Sequence, residues 1–136
     1  MVLIGVGVDV VHIPRIASLF QRRGSRVASR ILSAEERAQW ELLPTSDLGR
    51  RVRFLAVRWG IKEAAYKAMY PVVRPTWKEL TYRGLGDDPA RTKPTLVYHP
   101  ADASCCSKVG KTHISVSHDG DYVFTSVIVE KPANVP

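Results

Sequence analysis

Three segments of the sequence carry residue types and spacings that suit chemistry on phosphate groups. Asp9 follows two glycines in an alternating, strand-like run, and Glu63 and Lys67 stand one turn apart in a long helical run. His118 precedes an Asp-Gly pair that is typical of a hairpin turn. Mg²⁺ needs only one or two protein carboxylates plus phosphate oxygens, and a nearby lysine suits phosphate binding. Together these residues indicate phosphoryl transfer, in which catalysis is mostly positioning and charge neutralisation.

Each of these residues also has an interpretation without chemistry. Asp9 would serve as a cap or turn residue, because Pro14 soon follows. Glu63 and Lys67 would form a surface pair worth about 0.3 kcal/mol, and His118 would be a turn residue without a role. Spacing alone leaves these alternatives open. The early glycines form no dinucleotide-binding fingerprint, because the third glycine and the following helix are absent.

The helix that carries Glu63 and Lys67 is predicted over Phe54 to Met69, a proline-free run of strong helix formers. One face is typical of a core and carries Phe54, Val57, Ile61, Ala65 and Ala68. The opposite face carries small and aromatic residues around the carboxylate: Ala56, Trp59, Gly60 and Tyr66. We therefore expect a second surface to dock on this face, either a ligand or another part of the protein.

The first eleven residues predict a strand that presents Asp9. One face of this strand is entirely apolar, and we expect it to form the core face: Val2, Ile4, Val6, Val8 and Val10. The other face is expected to expose Gly5 and Gly7, which lead to the carboxylate. Glycines at these positions would let another group approach the backbone closely.

Turn and cap signals predict the elements around this strand and helix. Pro14 and Gly24 suit the two ends of a helix. A capping box at Ser33 begins another helix. Two hairpins are predicted over residues 79–99 and 112–129, since turn-forming residues separate strand-like runs there.

Length and charge limit the classes of function. A chain of 136 residues suits one domain, which we place at 1–130, with a loose tail at 131–136. The net charge of +7 predicts an acidic partner: nucleic acid, an anionic membrane, a phosphorylated small molecule or an acidic protein. No run approaches the ~18 apolar residues of a membrane span, and no signal or transit peptide is visible. We interpret Cys105 and Cys106 as reduced thiols of an intracellular protein.

Three motifs resemble those of the holo-acyl-carrier-protein synthase family, the small 4′-phosphopantetheinyl transferases. Residues 7–15 fit its N-terminal G-x-D segment with a following arginine, and residues 54–68 fit W/F-x-x-K-E-A-x-x-K. Residues 114–122 fit S-x-S-H-[D/T]. The resemblance covers most of the chain, with the motifs in the family's order. Two positions depart from it: Gly60 replaces an alanine, and Thr92 replaces the glycine of a Gly-Lys-Pro turn.

The resemblance implies an α+β fold, in which an antiparallel sheet packs with one long central helix and shorter helices. It implies transfer of 4′-phosphopantetheine from coenzyme A to a serine of an apo acyl carrier protein, with release of adenosine 3′,5′-bisphosphate. Asp9 and Glu63 would hold Mg²⁺ against the pyrophosphate, and Lys67 would neutralise charge on the transferring and leaving phosphates. The general base is left open between Glu63 and a metal-bound water that relays to Asp9.

The same resemblance assigns the remaining candidates to two binding sets. The candidates for contacts with coenzyme A are Arg58, Lys62, Lys67, Lys93 and His118. The candidates for docking an acidic, helical acyl carrier protein are Arg15, Arg22, Arg23 and Arg26. The family also implies a homotrimer with active sites at subunit interfaces, which would explain the aromatic residues beside Glu63.

Two other classes of function compete with this interpretation. A nucleic-acid-binding domain would use the net charge, but it lacks a recognisable motif and leaves Asp9 and Glu63 unexplained. An inactive carrier-binding subunit would not need Asp9, Glu63 and Lys67. We therefore expect an enzyme that binds neither nucleic acid nor a membrane. Residues 75–81 resemble fungal members of the family, so we expect a mitochondrial or cytoplasmic protein.

Overall fold

The structure is a computed structural model that describes residues 1–84, 90 and 93–133. The helices in these ranges are α1 (Ile13–Arg23), α2 (Ser25–Ile31), α3 (Ala34–Leu42) and α4 (Leu48–Met69). The strands are β1 (Leu3–His12), β2 (Leu80–Arg83), β3 (Thr95–Tyr98), β4 (Thr112–Asp119) and β5 (Tyr122–Glu130). Short 3₁₀ turns lie at Trp77–Glu79 and Ala103–Lys108. This arrangement confirms the predicted α+β class with a long central helix.

The strands form two antiparallel sheets, and the larger one supports the long helix. Its strand order is β1-β5-β4, while β2 and β3 pair separately. The antiparallel strand pairing of both predicted hairpins is confirmed, while most of the predicted turn at residues 86–94 lies outside the described ranges. Gly120 takes the left-handed backbone conformation (φ 55°) between β4 and β5. The strand β4 runs through to Asp119, so His118 lies at a strand end rather than in a loop.

The strand β1 packs on α4 through its glycine face, which is the opposite of the prediction. A Cβ atom on Gly7 would overlap the carbonyl oxygen of Ala64, and one on Gly5 would overlap that of Ala68. The two backbones are therefore in direct contact, and only glycine allows this approach. The predicted core face is instead exposed in the single chain, with Val10 60% exposed. The prediction was wrong because it chose the buried face by its number of apolar residues, whereas the face that packs on α4 is the one whose glycines allow the two backbones to approach.

The exposed side of the large sheet is an apolar surface, which we call the outer sheet face. It consists of Val6, Val8, Val10, Tyr122 and Phe124, all between 44% and 60% exposed. The register pairs Val10 with Phe124, so the side chains of β1 and β5 form one continuous patch. Contiguous apolar patches of this kind usually mark an interaction surface.

The helix α4 is longer and more buried than predicted. It begins at Leu48, where Asp47 accepts a hydrogen bond of 3.1 Å from the backbone N–H of Arg50. Gly60 lies against Thr125, and a Cβ at this glycine would come within 2.9 Å of the threonine methyl group. The predicted second surface on this side of the helix is therefore confirmed as another part of the protein, the large sheet. Because α4 is covered on several sides, its sequence shows two apolar faces.

The shorter helices follow their cap signals. Gly24 ends α1 with φ 57°. The capping box of α3 is confirmed, since the Ser33 backbone N–H donates to Glu36 Oε1 at 2.9 Å and Glu36 N–H to Ser33 Oγ at 3.4 Å. The helix α2 was not predicted, because seven residues rich in serine and arginine show no clear period.

Within the described ranges, no helix is long and apolar enough to cross a membrane. Both cysteines are free thiols.

Candidate active site

The close contact of β1 with α4 brings together the three residues predicted to be catalytic. Asp9 lies on the helix-facing side of β1, and its Oδ1 is 3.5 Å from the Lys67 ammonium nitrogen. Lys67 also donates a hydrogen bond of 2.9 Å to the carbonyl oxygen of Val8. Glu63 lies half-buried one turn before Lys67 on α4. The site is therefore a pair of carboxylates with one anchored lysine.

Both carboxylates hold their protons more strongly than ordinary carboxyl groups do. Burial raises the pKa of Asp9, although Lys67 and Arg15 act in the opposite direction. Burial also raises the pKa of Glu63, and the negative charge of Asp9 raises it further. The two carboxylates thus repel each other, and a cation between them would relieve that repulsion.

This donor set fits Mg²⁺ better than a transition metal. In the described part of the chain, no group of three or more histidine, cysteine or acidic residues is placed to hold an ion. A structural zinc site needs four such ligands, and a catalytic one needs three. Mg²⁺ keeps most of its waters and accepts one or two carboxylates together with substrate phosphates. Asp9 and Glu63 would be the residues that hold it.

Arg15 belongs to this site as well as to the basic helix. Its positive charge opposes the rise in the pKa of both Asp9 and Glu63, so its guanidinium lies within electrostatic range of the carboxylate pair. The other arginines of the predicted docking set lie further along the chain, where Arg22, Arg23 and Arg26 are exposed. The sequence grouped all four arginines together, but in the structure Arg15 also influences the charge of Asp9 and Glu63.

A large cleft begins one helical turn from the carboxylates, and we call it the tryptophan cleft. Its volume is about 990 Å³, and Trp59 and Trp77 meet edge-to-face in its wall with ring centroids 4.6 Å apart. Trp59 precedes Glu63 by one turn of α4. The other lining residues used below are Leu19, Arg23, Arg26, Val27, Arg30 and Lys78. Sequence reasoning missed Arg30 and Lys78, since neither belongs to a recognisable motif.

A second pocket brings two of the predicted coenzyme A contacts together, and we call it the arginine pocket. Arg58 and His118 both line this space of about 480 Å³. The guanidinium of Arg58 lies over the Phe54 ring, 3.3 Å from its centroid. Arg50 and Arg53 line the same pocket. The run of arginines before the predicted helix was the signal that could have identified them.

The arginine pocket and the carboxylate pair occupy different surfaces of the chain. Asp9 lies on β1 and His118 on β4, which are the two edges of the large sheet. With β5 between them, the two strands are about 10 Å apart. Arg58 and Glu63 are five residues apart on α4, which corresponds to about 140° around the helix axis. One chain therefore carries two partial sites that face different directions.

Lys62 does not reach either partial site, so its predicted contact with coenzyme A is wrong. Its side chain is fully buried and pairs with the carboxylate of Glu36. The ammonium group also donates to the carbonyl oxygens of Ile31, at 2.7 Å, and Trp77, at 2.9 Å. All three of its protons are thus used inside the core. The spacing of the motif could not show this, because Glu36 comes from a different helix.

Lys93 is exposed just before β3, next to residues 91–92, which lie outside the described ranges. Its contact with coenzyme A stays a prediction. Thr92, the departure from the Gly-Lys-Pro turn, also lies outside the described residues, as do the last three residues of the predicted tail.

Comparison with known sequences gives consistent matches over nearly the whole chain. A family model described as the 4′-phosphopantetheinyl transferase superfamily matches residues 5–127. A holo-[acyl-carrier-protein] synthase from Photorhabdus laumondii is 35% identical over 133 residues, which cover 96% of this chain and 100% of the relative.

Solved structures show the same fold. The crystal structure of a holo-[acyl-carrier-protein] synthase from Neisseria meningitidis aligns with a TM-score of 0.79 and 29% identity, covering 95% of this chain and 99% of the other. A Chronobacterium ammoniagenes ACPS–CoA complex aligns with a TM-score of 0.67 and 29% identity, covering 93% and 96% of the two chains.

Proposed function

The chain belongs to the 4′-phosphopantetheinyl transferase superfamily as a holo-acyl-carrier-protein synthase, and we propose that it uses Mg²⁺ and coenzyme A to modify an apo acyl carrier protein. The products are the 4′-phosphopantetheinyl carrier and adenosine 3′,5′-bisphosphate. The observation that carries the proposal is the meeting of Asp9, Glu63 and Lys67 where β1 contacts α4. Asp9 belongs to the first of the family's motifs, and Glu63 and Lys67 belong to the second.

The reaction joins a serine oxygen of the carrier to the phosphorus that bears pantetheine. The bond from that phosphorus to the bridging oxygen of the pyrophosphate breaks, and its electrons leave with adenosine 3′,5′-bisphosphate. Bound Mg²⁺ supplies neutralisation of the pyrophosphate charge. Lys67, held by the carbonyl oxygen of Val8, adds a second positive charge at a fixed position.

The serine hydroxyl needs a proton acceptor, and the two candidates are a metal-bound water that relays to Asp9 and the carboxylate of Glu63. We favour Glu63. Its pKa is raised by burial and by the charge of Asp9. A carboxylate with a raised pKa is a better base at neutral pH than an ordinary one. The pKa of Asp9 is raised as well, but Asp9 is more closely engaged, because it pairs with Lys67 at 3.5 Å.

The arginine pocket supports binding of the nucleotide end of coenzyme A. Arg50, Arg53 and Arg58 supply guanidinium groups that suit phosphates, and His118 adds a hydrogen-bonding ring. The Chronobacterium relative was solved as a complex with CoA. The pocket is open, so a nucleotide could enter without rearrangement of α4.

The tryptophan cleft supports docking of the carrier protein. Arg23, Arg26, Arg30 and Lys78 line it together with apolar and aromatic side chains. This combination suits an acidic helix that presents one apolar side chain. The cleft begins one turn from Glu63, so a carrier seated there would bring a serine near the carboxylates.

Two observations support a homotrimer. The outer sheet face leaves an apolar patch exposed on the single chain. The carboxylate pair and the arginine pocket are also separated within one chain. A ring of head-to-tail copies would bury the patch and place the arginine pocket of one protomer beside the carboxylates of its neighbour. Each complete active site would then use residues from two protomers.

The direct test is transfer itself. The protein is incubated with coenzyme A, Mg²⁺ and an apo acyl carrier protein, and the carrier is weighed by mass spectrometry. The expected result is a mass increase equal to one phosphopantetheine group, which EDTA prevents. If no phosphopantetheine adduct forms with a bacterial, a mitochondrial or a synthase-derived carrier, the proposal is wrong.

A further inference from the structure

A buried ion pair lies directly behind the active site on the long helix. The side chains of Glu36 and Lys62 are both 0% exposed, and they contact each other. Lys62 is the residue immediately before Glu63. Neither Glu36 nor Lys62 lines the arginine pocket, and no contact joins either side chain to Asp9 or Lys67 in the described part of the chain, so the proposed mechanism does not use them.

The pair joins α4 to four other elements. Lys62 donates to Ile31, the last residue of α2, and to Trp77 in the 3₁₀ turn. Glu36, on α3, accepts a hydrogen bond of 2.9 Å from the backbone N–H of Tyr82 in β2. The carboxylate is also 3.9 Å from Nε of Arg58. One carboxylate therefore holds two positions of α4 that are a single turn apart.

Stability alone does not account for this arrangement. Removing two charges from water costs so much that apolar residues of similar volume often serve a core equally well. A buried pair differs from an apolar one in being directional, because its hydrogen bonds fix rotation as well as distance. Here the direction fixed is the rotation of α4, which presents Glu63 to Asp9 on one side and Arg58 to the arginine pocket on the other.

We propose that Glu36 and Lys62 are positioning residues, which hold α4 in the rotation that both partial sites require. This inference rests on the proposed function. A shift of about 1 Å in a catalytic group can lower a rate about 100-fold, so a small rotation of the helix is enough to matter. Arg58 would lose its orientation in the same movement, and affinity for coenzyme A would fall together with the rate.

The test replaces the pair by neutral residues of similar size, Glu36→Gln with Lys62→Met. Where thermal unfolding shows the variant to be folded, kcat is expected to fall 10- to 100-fold. The Kd for coenzyme A, measured by calorimetry without carrier, is expected to rise about tenfold. The matched control is Glu35→Gln with Arg83→Met, which removes a partly exposed pair (2.9 Å) that joins the same helix, α3, to β2. This control is expected to keep both values.

Transfer by the wild-type protein is measured first. If the wild type does not modify the carrier, the proposed function fails; if it does, the variants test this inference alone. If the neutral variant folds and keeps kcat and Kd within about twofold of wild type, the pair is merely structural and the inference is overturned. If that variant does not fold, Glu36→Asp decides the matter. It keeps the charge but withdraws it by one methylene, and the same losses are expected from it. Wild-type values in the folded Asp variant would also overturn the inference.

Discussion

The carboxylate of Glu63 is placed where its charge is costly, and this gives a prediction for a single residue. Its pKa is raised above the ordinary value of 4.5 in the folded protein. Ionised Glu63 therefore lowers stability at pH values above the folded pKa, and the cost disappears below pH 4.5. We expect Glu63→Gln to raise the Tm of the metal-free protein at neutral pH by a few degrees.

The same variant should lose transfer activity by at least about 100-fold, since one carboxylate no longer binds metal or accepts a proton. Thermal unfolding with EDTA and with Mg²⁺, from about pH 4 to pH 8, separates the two effects. Mg²⁺ should stabilise the wild type and leave Glu63→Gln almost unchanged. Full activity in the variant, or equal stabilisation by Mg²⁺, would show that Glu63 does not hold the metal.

At the residue scale, the motifs predicted which side chains meet but not which are buried. Asp9, Glu63 and Lys67 lie together as the resemblance implied. A contact with coenzyme A is predicted from the sequence for Lys62 and Lys67 alike, because both are lysines in the same helical motif. In the structure Lys62 is buried and Lys67 is exposed, because Glu36 of another helix pairs with Lys62 in the core. A local pattern contains no information about that partner.

At the scale of single elements, most boundaries were predictable and one orientation was not. The strand β1 and the caps of α1 and α3 followed from local chemistry, because proline, glycine and serine act within a few residues. The buried face of β1 depended on α4, whose backbone approaches Gly5 and Gly7 more closely than any side chain would allow. Alternation shows that a strand has two faces, but it does not show which one a helix selects.

The basic residues of α1 and α2 give a prediction at this scale. Charge reversal by Arg23→Glu with Arg26→Glu should raise the KM for carrier protein at least tenfold, since both residues line the tryptophan cleft. The KM for coenzyme A should stay nearly unchanged. Arg15 is left intact, because it acts on Asp9 and Glu63 and would confuse docking with catalysis.

Steady-state kinetics with each substrate varied in turn measure this difference. A control with the same change in net charge is Lys108→Glu with Lys131→Glu, two exposed lysines away from the cleft. Equal effects of the two double variants on the carrier KM would mean that only net charge matters and that the cleft is not the docking surface.

At the scale of the whole molecule, the separated partial sites predict complementation between inactive proteins. Glu63→Gln inactivates the carboxylate site, and Arg53→Ala with His118→Ala inactivates the arginine pocket. Co-expressed in equal amounts, the two variants should recover about one quarter of wild-type activity, because a working interface needs an intact half from each protomer. Activity of the mixture and of each variant alone is compared by the mass assay.

The control for this experiment mixes Asp9→Asn with Glu63→Gln, which affect the same partial site and should recover nothing. Native mass spectrometry shows whether mixed assemblies have formed. Mixed trimers without recovered activity would place both partial sites in one protomer and contradict the shared active site. The proposed trimer could not be predicted from the hydrophobic periodicity of the sequence, because an apolar strand face has the same pattern whether a helix or a second chain covers it.

The tryptophan pair of the cleft also makes the protein its own optical reporter. Trp59 and Trp77 are two of the three tryptophans of the chain, and both are partly exposed in the cleft wall. The third, Trp40, is buried in the core beneath Arg51 and contributes a steady background to the emission. A carrier seated in the cleft would displace water from the paired indole rings and change their fluorescence. Arrival of the carrier could therefore be timed, without a label, separately from the chemical step that follows it.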